Sequence, residues 1–286
     1  MDSQRQEIMR AKLAALWEEV RELSLGTTPS VDRLDGPPTP LTFLRDYVSA
    51  NKPCVISNAT LHWPALSLWT QDEYLRRAME GRHVSVHLTP DGRADALSRH
   101  PQDPSSLSSA HVRRGVPFEE ALGLVIDSSS SSAVAYCQEQ NDCLSSEYSA
   151  LAGDADADIG WATEALGRPP EAVNLWIGGG RSETWFHKDH YENLYAVVSG
   201  KKHFLLLPPT DAHRLYIRWY PATSYNDVNG RLKLALVLER HVPWCSVDPY
   251  SPSEEEEERQ RSSYPLYFEG PQPIQCTVNP GDILYL

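Results

Sequence analysis

Cysteine is sparse in this chain of 286 residues and shows no pattern. Cys54, Cys137, Cys143, Cys245 and Cys276 are odd in number, scattered, and never spaced C-x-x-C. That excludes a zinc ribbon, a thioredoxin-like redox pair and a stapled secreted scaffold. Reduced thiols fit the cytoplasm, with the nucleus as the second compartment. Long apolar runs are missing too. No stretch reaches the roughly 18 apolar residues of a membrane span, and the charged N-terminus has no apolar core of a secretory signal. Basic residues are few: 26 Lys and Arg against 39 Asp and Glu give a formal charge of -13. Without a basic stripe, a nucleic-acid partner is excluded, while an acidic surface suits a basic protein or peptide. Hydrophobic residues make up 41% of the chain, enough for a sizeable core. One domain with loops is expected, since no internal repeat divides the chain.

Residues 4–24 predict an amphipathic helix. Met9, Leu13, Leu16, Trp17, Val20 and Leu23 recur at helical spacing, and Gly26 stops the pattern. Such a stripe packs on its own domain or joins two copies in a homodimer; we expect the former and keep the latter open. The N-terminal helical segment is placed at 1–35 and the main domain at 36–286. Gly36-Pro37-Pro38-Thr39-Pro40 links them, and a second helix is expected around Phe43–Val48. Pro53-Cys54-Val55-Ile56, Val84–Leu88 and Ala133–Tyr136 read as strands, with a turn at Thr89-Pro90-Asp91-Gly92. Polar composition predicts a long exposed loop over 95–112 and a break at the serine tract Ser128–Ser132. The five consecutive glutamates Glu254–Glu258 predict a mobile acidic insertion at about 250–264.

The chemistry is concentrated in Thr184-Trp185-Phe186-His187-Lys188-Asp189-His190-Tyr191-Glu192-Asn193. On a strand, His187 and Asp189 would leave the same face. Imidazole and carboxylate are two of the three ligands of the 2-His-1-carboxylate triad that holds non-haem Fe(II). Ten histidines among 39 acidic residues yield roughly one such pair by chance, so the context must carry the argument. Asn193–Val198 and Lys201–Leu207 are strand-like runs joined by Ser199-Gly200, which predicts a tight hairpin. In that register Lys202 lies opposite Val197 and shares a face with Asn193 and Tyr195. An ammonium turned into a barrel needs an anion, and no acidic residue of the hairpin has the parity to supply one. A ligand carboxylate would.

These stretches resemble the Jumonji-C family of Fe(II)- and 2-oxoglutarate-dependent oxygenases, in its small hydroxylase branch. Further segments carry the likeness: His62-Trp63-Pro64-Ala65-Leu66, Trp161–Gly167, Val173-Asn174-Leu175-Trp176, Val242-Pro243-Trp244 and Pro280-Gly281-Asp282-Ile283-Leu284-Tyr285-Leu286. The resemblance implies a mainly β fold with flanking helices: a cupin-like jelly roll, or double-stranded β-helix. It also implies that His187 and Asp189 are iron ligands. Lys202 would pair with the distal carboxylate of 2-oxoglutarate, with hydroxyl help from Thr184 and Tyr136, and Asn193 would line the cofactor pocket. His190 and His203 have the wrong parity for the metal. In the family the last quoted strand continues to a Pro, a Trp and the distal histidine. Leu286 precedes these, and His213 and His241 do not match that position. The resemblance therefore implies a form that is incomplete at its C-terminus, lacks two core strands and binds iron weakly.

The implied activity is hydroxylation of a lysine side chain in a protein, with a GTP-binding protein as candidate substrate. An inactive cupin-like binding module, a peptidase and a demethylase are the alternatives. No H-E-x-x-H arrangement supports a zinc peptidase.

Overall fold

A computed structural model describes residues 2–25, 30–98, 106–127 and 133–286. The serine tract 128–132 and residues 99–105 of the expected loop lie outside these. Among the described residues no helix is long and apolar enough to cross a membrane.

The apolar run around residue 55 becomes the strand Cys54–Ser57, with Cys54, Val55 and Ile56 fully buried. A strand covered on both faces reads as a continuous apolar run, not as an alternation. It lies inside a four-stranded sheet ordered Asp32–Asp35, Cys54–Ser57, Ile283–Tyr285, Leu194–Ala196. Asp32–Asp35 pairs with Cys54–Ser57 in parallel, so the N-terminal helical segment placed at 1–35 ends in a strand of the main sheet. Lys202–Leu206 and Ile274–Val278 form a separate antiparallel pair. Val55, Val197, Val278 and Leu284 are buried together between the two, with Tyr195 and Phe204 packed against them.

The expected hairpin about Ser199-Gly200 is therefore not a ladder. Leu194–Ala196 pairs with Ile283–Tyr285, and Lys202–Leu206 with Ile274–Val278. Gly200, at φ 73°, turns the chain out of one sheet and into the other. Burial of Val197 against Val278 and Leu284 outweighs a weak local turn signal. The result is the mainly β, jelly-roll architecture with flanking helices.

A second four-stranded sheet runs His111–Pro117, His83–Thr89, Val134–Cys137, Ile177–Gly178. It is covered by the helix Phe118–Asp127, through Phe118, Ala121, Leu122 and Val125. A third sheet holds the long hairpin Arg218–Val228 and Arg231–Trp244 together with Leu107–Ser109 and Ala96–Leu97.

Three sequence expectations are corrected here. Around the expected exposed loop 95–112, Ala96, Ser98, Ser106, Leu107 and Ser108 are buried and most join short strands. Their hydroxyls have distant partners, Ser106 with Thr223 at 3.1 Å and Ser108 with the Ala96 carbonyl at 3.0 Å. The acidic insertion folds as a helix, Glu254–Ser263, N-capped by Ser253, whose side chain accepts from the Glu256 amide. Four glutamates in its first turn face the positive end of the helix dipole, and Arg261 reaches Glu257 at 2.7 Å. The N-terminal helix Asp2–Leu25 does form, but only its C-terminal half docks. Trp17 stacks on His213 at 3.7 Å and Arg21 pairs with the buried Asp211. Met9, Leu16 and Leu23 remain 56%, 55% and 85% exposed, so most of the apolar stripe is not packed on the domain.

Candidate active site

Tyr136 sits on a strand between two ladders, opposite His87 on one side and Gly178 on the other. A Cβ at Gly178 would come within 2.7 Å of the Tyr136 ring and 2.8 Å of Ser182 Oγ, so only glycine lets the ring lie there. The Tyr136 and Tyr195 hydroxyls influence one another, and burial raises the pKa of both. Tyr195 also meets the Trp176 ring edge-on at 5.8 Å. Lys202, first residue of its strand, places Nζ 5.8 Å from the Tyr136 ring centroid. Desolvation lowers its pKa, and the nearby Glu183 carboxylate opposes that only in part. Glu183 is also engaged with Arg93 at 3.8 Å. Among the described residues no carboxylate lies within ion-pair distance of Lys202. Trp176 Nε1 and Ser182 Oγ are buried and have no hydrogen-bond partner. Such orphaned donors are uncommon in a folded interior.

The His187 segment is built differently. Residues 185–193 form no regular strand, so the same-face geometry expected for His187 and Asp189 is not produced by a pleat. Local hydrogen bonds hold it instead. Arg93 lies over the Trp185 ring at 4.2 Å, and Trp185 Nε1 donates to the Cys245 carbonyl at 3.3 Å. The Trp185 carbonyl then stands 2.8 Å from His187 Nδ1. That bond selects the tautomer protonated on Nδ1 and leaves the Nε2 lone pair free. The His187 ring lies parallel to Trp244, with centroids 6.4 Å apart. Asp189 accepts from the His190 amide at 2.8 Å through Oδ1, and from Asn193 Nδ2 at 3.0 Å through Oδ2. Asn193 itself is fixed by backbone bonds to Leu286 in both directions, each 3.0 Å.

Of the sequence-expected residues, the structure brings Tyr136 and Lys202 together. Asn193 turns its amide to Asp189, whereas the resemblance put it in the cofactor pocket. Thr184 is exposed, on a two-residue strand paired with Arg93–Ala94. His187 and Asp189 are exposed, and among the described residues no three His, Cys, Asp or Glu side chains are gathered to hold a metal. His190 and His203 are exposed, and His203 Nδ1 lies 2.8 Å from Thr277 Oγ1. Tyr195, Trp176 and Gly178, which the structure gathers around Tyr136, are not among the site residues expected from the sequence. Only Tyr195 left a signal, its parity with Asn193.

Residues 40–286 match the cupin-like domain family. Lysine-specific demethylase JMJ32 of Arabidopsis thaliana is 56% identical over 281 residues, covering 97% of this chain and 80% of the relative. Human bifunctional peptidase and (3S)-lysyl hydroxylase JMJD7 is 39% identical over 283 residues, covering 98% and 84%. JmjC domain-containing protein E of Dictyostelium discoideum is 35% identical over 272 residues, covering 90% and 75%. With the mainly β fold and this degree of likeness, the chain belongs to the cupin-like JmjC-domain family of 2-oxoglutarate-dependent oxygenases.

Proposed function

We propose that this chain is an Fe(II)- and 2-oxoglutarate-dependent protein hydroxylase that acts on a lysine side chain. The observation that carries the reading is the desolvated Lys202 ammonium, without a carboxylate partner, beside the Tyr136–Tyr195 pair and the orphaned donors of Trp176 and Ser182. A half-buried charge of this kind is stabilised by an anion, and the distal carboxylate of 2-oxoglutarate is one of fitting chemistry. Lys202 and Tyr136 would hold that carboxylate, with Thr184 as a further hydroxyl. His187 Nε2 and Asp189 would take the iron. The donor set suits it: each ligand has its other polar atoms tied down, as metal ligands in proteins usually do. When bound, iron and 2-oxoglutarate would let dioxygen put one oxygen atom into a substrate C–H bond and the other into succinate as the oxo acid loses CO2. Asn193 orients Asp189, and Trp185 orients His187. An acidic surface favours a basic segment of a protein as substrate. The exposed stripe of Met9, Leu13 and Leu16 supports the homodimer considered from the sequence.

The test is succinate release from 2-oxoglutarate together with mass spectrometry of a lysyl peptide. Gain of one oxygen atom on lysine is the expected result. A second reading, removal of a lysine N-methyl group, draws on the 56% likeness to a protein named a lysine-specific demethylase. Loss of a methyl group from a methyl-lysine peptide, with no oxygen retained on unmodified lysine, would select it. Absence of succinate with either peptide would leave a binding module.

A further inference from the structure

The turn Thr89-Pro90-Asp91-Gly92 sends an arginine into the interior. The Gly92 amide donates to Thr89 Oγ1 at 2.9 Å, and the Arg93 amide to Asp91 Oδ1 at 3.1 Å. Gly92 takes φ 94°, and a Cβ there would stand 1.9 Å from the Arg181 carbonyl oxygen. Only glycine allows both. Arg93 then enters the parallel ladder opposite Glu183 and is 5% exposed, so its guanidinium lies inside the protein.

That guanidinium reaches two separate segments of chain. Its Cζ lies 4.2 Å from the centroid of the Trp185 ring, and Nη2 donates to Asp248 Oδ2 at 3.2 Å. The Trp185 carbonyl stands 2.8 Å from His187 Nδ1. Asp248 ends the short run that follows Trp244, whose ring lies parallel to that of His187. Trp185 Nε1 bridges the two segments by donating to the Cys245 carbonyl at 3.3 Å. Arg93 therefore clasps both stretches that bracket the His187 ring. Stability alone does not explain the grip. Nε and Nη1 are buried without a hydrogen-bond partner among the described residues, Nε lying 3.8 Å from Glu183 Oε1. A buried ion pair with orphaned donors often stabilises less than apolar residues of the same volume would.

We propose that Arg93 is a positioning residue for the metal half of the site. By holding Trp185 against the 245–248 segment it fixes the Trp185 carbonyl, and through it the direction and tautomer of the His187 ring. This role rests on the reading of His187 as an iron ligand and adds what aims it. The planar face of the guanidinium is the property that matters. A lysine could still pair with Asp248, but its ammonium has no plane to lay on an indole.

The test uses Arg93→Lys in the full chain. Nitrogen-15 NMR of the metal-free protein reads the His187 tautomer at mildly alkaline pH, where a neutral imidazole prevails. Wild type should hold the Nδ1-protonated form, and Arg93→Lys should mix in the Nε2-protonated one. Fe(II) affinity, by calorimetry without oxygen, should fall roughly tenfold, while 2-oxoglutarate binding to the metal-free chain stays unchanged. A second variant, Arg93→Met with Asp248→Asn, replaces the ion pair without stranding a carboxylate and should show the same two changes. It decides the matter if Arg93→Lys does not fold. An unchanged tautomer and unchanged Fe(II) affinity in a folded variant overturn the proposal. So does a wild type that is not Nδ1-protonated, or an equal loss of Fe(II) and 2-oxoglutarate affinity, which marks a general structural role. The parent reading fails separately. If wild type binds no Fe(II) yet its His187 tautomer follows residue 93, the iron assignment falls and the positioning role stands.

Discussion

The two halves of the site are held by different means. Tyr136, Tyr195 and Lys202 belong to strands of three different sheets, and their backbones are fixed by ladders that also bury the core. His187 and Asp189 lie on an irregular, exposed segment held by single hydrogen bonds from Trp185, His190 and Asn193. The half proposed to take the cofactor is therefore fixed by ladders before any ligand arrives. The metal half depends on a few local contacts. Binding of 2-oxoglutarate should be sensitive to charge and packing at fixed positions, and iron binding to the bonds that aim two side chains.

The strongest way to break this contrast is Lys202→Met. Removing the ammonium deletes the one full positive charge in the cofactor half, and 2-oxoglutarate affinity should fall by about 100-fold, some 3 kcal/mol at the upper end for charge-assisted bonds. The melting temperature of the unliganded protein should hold or rise, because an unpaired, half-buried charge has been replaced by an apolar chain of similar length. Calorimetric titration and a thermal melt measure both. A falling melting temperature would make Lys202 a structural residue.

Gly178→Ala attacks the same half through packing. Its new Cβ would stand 2.7 Å from the Tyr136 ring, inside any normal contact. Overpacking should cost about 1–3 kcal/mol in chemical denaturation and move Tyr136 from Tyr195. On the other side, Asn193→Ala removes the Nδ2 donor to Asp189 while keeping the backbone bonds to Leu286. Fe(II) affinity should drop by roughly 10-fold, the low end for loss of a residue supporting a ligand, with no change in 2-oxoglutarate binding to the metal-free chain. Equal loss of both ligands would mean that the halves are not separable.

The same contrast explains how much could be read in advance. Strands buried on both faces, such as Cys54–Ser57 and Val134–Cys137, announce themselves as short apolar runs because burial selects for them directly. The hairpin at Ser199-Gly200 misled because the partners of its two arms lie about 70 to 90 residues away in sequence, where no local pattern points. The serines near residue 106 looked solvent-facing because Thr223, which satisfies Ser106, is more than a hundred positions distant. Lys202 was identified for a sound reason, an ammonium needing an anion, although the register that put it inside was not the one formed. Spacing singled out His187 and Asp189, but a pleat does not align them.

The smallest expected effect is also the most direct measure of preformation. Desolvation lowers the folded-state pKa of Lys202 from the ordinary 10.5. Between that lowered value and 10.5 the unfolded chain binds more protons than the folded one, so stability from this group rises with pH across that window. Below the window Lys202 is charged in both states, and the burial penalty is present in full. Tyr136 and Tyr195 act in the opposite sense, because their raised pKa values keep the folded phenols protonated while the unfolded ones ionise. Their contribution is common to wild type and Lys202→Met and drops out of the difference. At neutral pH the variant should melt at or above the wild type, and that gap should close as pH approaches 10.5. Saturating 2-oxoglutarate pairs the ammonium and draws its folded pKa back up, so the wild type should lose its share of the slope. A gap that stays constant with pH in the unliganded proteins would mean that Lys202 is as well solvated folded as unfolded, and the cofactor half would then be no more preformed than the metal half.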